Sequence, residues 1–217
     1  MTTDARTPVA RLERLAWCDT LDAVGPDAPT LCDPWRTRDL AAHFVVRERR
    51  PDAAAGIWLP PLSRWTEHEQ DRIARGDWPA LVETIRTGPP WWSPARAERV
   101  DALFNTVEIV VHHEDVLRGD EAVGPRREVP ERTARAVLSA LRKSASLMVR
   151  RSPVGVRLVA PGHAPVVAGA EDRVVTATGE PVELLLLAMG RIRVAAVELD
   201  GSPEDVAALR AAHLGVS

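Results

Sequence analysis

Hydrophobic spacing changes period once along this chain, at Ser152-Pro153, and that change constrains the fold more than any single residue. Before it, apolar residues recur at three- and four-residue steps; after it come short runs rich in Val. Val9, Leu12, Ala16, Trp17, Leu21 and Val24 predict a first helix over 8–24, stopped by Gly25-Pro26. Leu40, Phe44 and Arg47 lie on one line of a second helix over 37–50, which Pro51 ends. Residues 56–68, rich in Trp and Pro, read as an excursion of loop and short helix. A helix from Asp77 follows, with Trp78-Pro79 at its start and Gly88-Pro89-Pro90 after its end. Ser93-Pro94 reads as the N-cap and first position of the longest helix, which Arg118 and Gly119 close. One more follows Pro130, with Ala134, Val137, Leu138, Leu141, Ala145 and Met148 on one face. Four main helices and an excursion predict a bundle.

Past Pro153 the segments 154–160, 165–168, 173–178 and 192–199 read as strands. Between the last two, 181–190 is apolar nearly all round and predicts a helix buried on the sheet. Asp200-Gly201 turns the chain into a final helix with Ser202 as N-cap, Pro203 at the first position and Gly215 as its cap at the other end. The fold class is α+β: a helical bundle over 1–150 and a small α/β domain over 151–217.

Lys and Arg number 28 against 31 Asp and Glu, and a net charge of -3 provides no long-range attraction for nucleic acid or anionic membrane. The longest apolar run, Leu184 to Met189, is far below the roughly 20 residues of a membrane helix. The N-terminus MTTDARTPVARLERL lacks a signal peptide's apolar stretch, so a cytoplasmic location is expected. Cys18 and Cys32 are too few for a disulfide framework or a four-sulfur metal site. They read as small buried residues, with reactivity most plausible at Cys32, beside Asp33. Monomer and homodimer are both compatible with the sequence. All nine aromatic residues lie between Trp17 and Phe104, so the α/β domain contains none.

Chemistry concentrates in NTVEIVVHHEDV, residues 105–116. Glu108 and His112 are one helical turn apart and can converge on one ion. Asp101, Asn105 and Asp115 extend that line, and the competing reading makes all five the solvated stripe of an otherwise apolar helix. A third ligand must come from another element, and His43, beside core-type Leu40 and Phe44, is the leading candidate. His113, about 100° around the helix from His112, is its chief rival; Glu114 is a further possible ligand. Asp39 and Asp115 are placed to accept the second ring N–H of His43 and His112. Phe44 and Phe104 flank the candidate ligands, and Trp58, Trp65, Trp91 and Trp92 fall in the loops between them, the makings of an apolar wall or of a bulky bundle core.

Three stretches, WRTRDLAAH (35–43), VEIVVHHEDV (107–116) and TGEPVELLLLAMGR (178–191), resemble the mycothiol-dependent maleylpyruvate isomerase family in order and over essentially the whole chain. The resemblance implies a DinB-like metal-binding four-helix bundle followed by a small sterol-carrier-protein-like α/β domain, in an actinobacterial branch of unassigned substrate. It implies a metal triad of His43, Glu108 and His112, a catalytic arginine at Arg191 with Arg193 as substitute, and mycothiol as thiol cosubstrate. Two imidazoles and one carboxylate suit zinc with an open position, and also nickel, cobalt or iron. A thiol of pKa near 8.5 loses its proton on such a metal, so the nucleophile arrives with the cosubstrate. The expected activity is a transferase or isomerase acting on a small electrophilic, carboxylate-bearing molecule, whose carboxylate an arginine fork would hold. The alternatives are a non-catalytic metal-binding module of a stress-response or binding protein, and a plain bundle in which His112 titrates near 6.5.

Overall fold

The computed structural model describes residues 7–57, 59–93, 105–170 and 172–215. Its contacts divide the chain into two compact units, Met1–Asp120 and Glu121–Ser217. In the first, α1 (Val9–Val24), α2 (Thr37–Arg49), α4 (Ser63–Ala74), α5 (Trp78–Arg86) and α6 (Thr106–Leu117) pack together, with a four-residue helix α3 (Pro51–Ala54) and two 3-10 turns, Ala55–Ile57 and Pro60–Leu62, leading into α4. Pro51 therefore ends one helix and opens another. The excursion contains α4, a full 12-residue helix packed on α2. Asp77 caps α5 by accepting from the Ala80 N–H, and Pro79 occupies the first turn, where its missing N–H is not needed.

The core of this unit is Trp17, Cys18 and Leu21 of α1, Leu40, Phe44 and Val45 of α2, Leu81 and Ile85 of α5, and Ile109 and Val116 of α6. Two polar seams run through it. Arg14 of α1 holds Glu48 of α2 through both guanidinium nitrogens, at 2.5 and 2.9 Å. His113 of α6 meets Glu13 and Thr20 of α1 through its two ring nitrogens, each at 2.9 Å. These ties set the rotation of α1, α2 and α6 about their axes. Residues 94–104, the proposed first part of the long helix, lie outside the described residues, as do Asp101, Phe104 and Trp58.

The second unit holds α7 (Glu131–Met148), β1 (Gly155–Val159), β2 (Val166–Ala168), β3 (Val174–Thr178), α8 (Pro181–Ala188), β4 (Glu198–Asp200) and α9 (Pro203–Ala211). The strand order is β2-β1-β3-β4, with β1 and β3 parallel and both outer pairs antiparallel. The chain is thus mixed α+β. The stripe Val137, Leu138, Leu141, Ala145 and Met148 of α7 is buried, and α7 packs on α8 and β2. The compact units accordingly meet at 120/121, ahead of the 150/151 division expected from the change of period.

The strand expected over 192–199 shrinks to Glu198–Asp200. Upstream, the Val194 and Ala195 N–H groups donate to the Arg191 carbonyl in a turn, and the Ala196 N–H donates to the buried Glu183 carboxylate, so no ladder forms. Ser202 caps α9 as expected by accepting from the Asp205 N–H, but the helix ends at Ala211. Gly215 donates its N–H to Met148 O instead. No helix among the described residues is long and apolar enough to cross a membrane.

Candidate metal centre

The predicted polar stripe of α6 is not solvated. Asn105, His112 and Asp115 are buried, and the Glu108 side chain is only 15% exposed. Its neighbour on the helix explains the aim of the stripe. His113, 100° away around α6, is held by Glu13 and Thr20 on α1, which directs His112 toward α2. There the His43 ring lies 5.9 Å from the His112 ring, edge to face.

His112 is positioned through one nitrogen and open through the other. Nδ1 is 3.0 Å from Asp115 Oδ2, the partner three residues on that the helix spacing predicts. Nε2 is buried without a hydrogen-bond partner, and Glu108 Oε2 stands 3.4 Å from it. That separation matches the edge of a tetrahedral site, since donors bound at ~2.1 Å lie ~3.4 Å apart. Two imidazoles on such an ion have ring centroids roughly 5 Å apart; those of His43 and His112 are 5.9 Å apart. The donor set, two imidazoles and a carboxylate around an orphaned buried nitrogen, fits a divalent metal.

Charge agrees with geometry. Burial pushes His43 down to about 4, helped by His112 and Arg47 and opposed by Glu108 and by a hydrogen bond that the ring donates to Gln70 of α4, so its ring is neutral at pH 7. Glu108 is held at about 2: burial opposes its ionisation, but the His112 ring beside it, the charge of Arg47 and His43 outweigh that cost. His112 moves well above its usual 6.5, because Asp115, Cys32 and Glu108 outweigh its burial. A metal taking Nε2 therefore displaces the proton of a ring that Asp115 and Glu108 keep charged.

Several expectations change. His113 is a satisfied core histidine with both nitrogens engaged, and Glu114 is occupied by Arg118 at 2.8 Å, so neither is free to serve as a ligand. Asp39 does not reach His43; it completes a capping box with Arg36 at the start of α2. Trp65, Trp91 and Trp92 are exposed, and the aromatic wall consists of Trp17 and Phe44, each 6.4 Å from the His112 ring, and Trp35, 5.0 Å from His43. Arg191 lies in the other compact unit, where its Nη1 donates to Met189 O at 2.7 Å. Arg193 is exposed and meets Glu121.

Sequence reasoning placed neither of two neighbours at this site. Gln70 lies on α4, and Cys32, noted only for its reactivity beside Asp33, lies in the loop before α2 with its Sγ 3.2 Å from Asp115 Oδ2. Cys32, His112 and Asp115 bring their donor atoms within 4.8 Å of one another, the one grouping of this kind among the described residues; His43, Glu108 and His112 do not close to that distance.

No protein-family model matches this chain, and no curated protein matches it. Two crystal structures do. The mycothiol-dependent maleylpyruvate isomerase superposes with a TM-score of 0.56 at 18% identity, over 92% of this chain and 96% of its own. A histidine-to-alanine mutant of that enzyme gives 0.58 at 17%, with the same coverage. The chain shares this fold along nearly its whole length.

Proposed function

We propose that this protein is a metal-dependent, mycothiol-using transferase or isomerase, with His43, Glu108 and His112 holding one divalent ion, zinc by preference. The observation that carries the reading is the buried Nε2 of His112, which no hydrogen bond takes up, set 3.4 Å from Glu108 Oε2 while Nδ1 is tied to Asp115. The shared fold supports it, because the solved neighbours are mycothiol-dependent isomerases. On this reading the first unit is a DinB-like metal-binding bundle, the C-terminal part is sterol-carrier-protein-like, and the enzyme belongs to the cytoplasm of an actinobacterium.

When bound, the metal supplies a place where a thiol gives up its proton at neutral pH. The residues do the rest. Asp115 fixes the ring orientation of His112. Burial keeps His43 neutral and its lone pair available, and the His112 ring and Arg47 keep Glu108 ionised. Trp17, Trp35 and Phe44 exclude water from the two imidazoles. Arg191 is assigned the carboxylate of a small electrophilic substrate, for which its planar fork is suited. The occupied state of His113 and Glu114 weighs against a closed four-ligand structural site.

Elemental analysis of the purified protein and of His43→Ala and Glu108→Ala tests the triad: one ion per chain in the parent and loss in both variants is expected. Retention of stoichiometric metal in both variants refutes it. Cobalt-substituted protein should change its visible spectrum when mycothiol is added, and an unchanged spectrum refutes thiol access to the ion.

A further inference from the structure

The loop 29–35 contacts both candidate histidine ligands, and its attachment to α6 is built at several points. Gly119, just past α6, has no side chain where the Pro29 carbonyl passes: a Cβ there would lie 2.1 Å from that oxygen. The Leu31 N–H donates to Asp115 O at 3.0 Å, so the loop is bolted to the backbone of the residue that orients His112. Thr30 Oγ1 accepts from the Cys32 N–H at 3.2 Å and donates to Trp35 O at 2.8 Å, which fixes the loop's shape. Its two ends then deliver Trp35 to the His43 ring at 5.0 Å and the Cys32 thiol to Asp115 Oδ2 at 3.2 Å. That oxygen also takes His112 Nδ1, and the carboxylate is fully buried.

We propose that Cys32 is a positioning residue for the metal centre, its S–H donating to Asp115 Oδ2 so that the carboxylate is held in the one orientation that aims His112 Nε2 at Glu108. The inference rests on the assignment of His112 as a ligand through Nε2. A carboxylate that orients an imidazole is held more firmly when a donor from a separate element also binds the oxygen the imidazole uses. Partners of this kind are worth about 10- to 100-fold in metal affinity. The thiol contact lies at the weak end of hydrogen bonding, which places the expected effect near the lower figure. This role differs from coordination by sulfur. Direct binding through the Cys32, Asp115 and His112 cluster would take Asp115 Oδ2 and His112 Nδ1 away from each other and leave Nε2 unused.

The test compares zinc affinity, by competition with a chromophoric chelator, for the parent, Cys32→Ala, Cys32→Val and Cys32→Ser. Loss of about tenfold in the Ala and Val variants is expected, with the Ser variant, which keeps a donor, within about threefold of the parent. The Val variant keeps the side-chain volume, so it separates the lost donor from a lost filling of space. Cobalt-loaded parent without added thiol should show no sulfur-to-cobalt charge-transfer band in the near ultraviolet. Parent-like affinity in both Ala and Val overturns the proposal, even while loss of zinc in Glu108→Ala leaves the triad standing. A charge-transfer band that disappears in Cys32→Ser overturns it too, by making Cys32 a ligand. A parent that binds no zinc removes the triad and this inference together.

Discussion

Gly119→Ala perturbs the centre without touching any residue in it. The added methyl would meet Pro29 O at 2.1 Å, Pro29 C at 2.5 Å and Thr30 N at 3.1 Å, all backbone atoms that no side-chain rotation can move aside. Carbon contacts settle near ~3.5 Å, so the loop must retreat by roughly 1 Å. Gly119 is not in the left-handed region, so alanine adds no backbone strain, and it stabilises slightly, by about 0.4–1 kcal/mol, through the unfolded chain. Against that stand overpacking, about 1–3 kcal/mol, and two contacts stretched past their limits, Leu31 N–H to Asp115 O and Cys32 to Asp115 Oδ2, at about 1 kcal/mol each. The balance is a loss of about 2–4 kcal/mol. Urea unfolding of the metal-free protein measures it cleanly, because all seven Trp lie between Trp17 and Trp92 and their fluorescence reports the first unit alone. Zinc affinity should fall in the same variant. Unfolding at the parent's urea concentration, with parent affinity for zinc, would refute the account of loop 29–35 as a fixed strap.

His113→Ala should cost about 3 kcal/mol, since it leaves the Glu13 carboxylate buried beside a void, yet keep one metal per chain; loss of the metal in proportion to His43→Ala would return His113 to the ligand set. Zinc affinity should rise with pH by about tenfold per unit below the raised pKa of His112, as the metal displaces its proton, and a flat profile in chelator titrations from about pH 6 to 8 would contradict this. Glu108, held at about 2 against its usual 4.5, adds stability to the metal-free protein that is complete above pH 4.5 and lost as pH falls toward 2. Glu108→Gln should remove that part of the acid transition, up to about 3 kcal/mol, as read from stability curves of parent and variant across the window.

Contacts inside one helix were legible because helical geometry fixes them. Glu108 and His112, and His112 and Asp115, are four and three apart, and the structure brings each pair together. The cap at Ser202 was legible for the same reason: donor and acceptor lie within one turn. Spacing failed where a second, closer partner competed. Asp39 lies four residues before His43 but also three after Arg36, the N-cap of its helix, whose open N–H donates to its carboxylate. The segment 192–199 alternates well enough for a strand, yet Arg191 O and Glu183 capture its donors first.

The choice between His112 and His113 shows where the limit lies. Both sit on one helix, and both have a carboxylate in reach. What separates them is the rotation of α6, and that rotation is set by Glu13 and Thr20, 100 and 93 positions away in the chain. The aim of the candidate centre is thus decided by a polar seam about 100° around the helix that carries it. Cys32 reaches Asp115 across 83 positions by the same kind of packing. A ligand pair on one helix is a local property; a pointed and braced ligand belongs to the tertiary fold. The residues that point and brace His112 therefore come from α1 and from loop 29–35, and changes there should register in metal affinity as well as in stability.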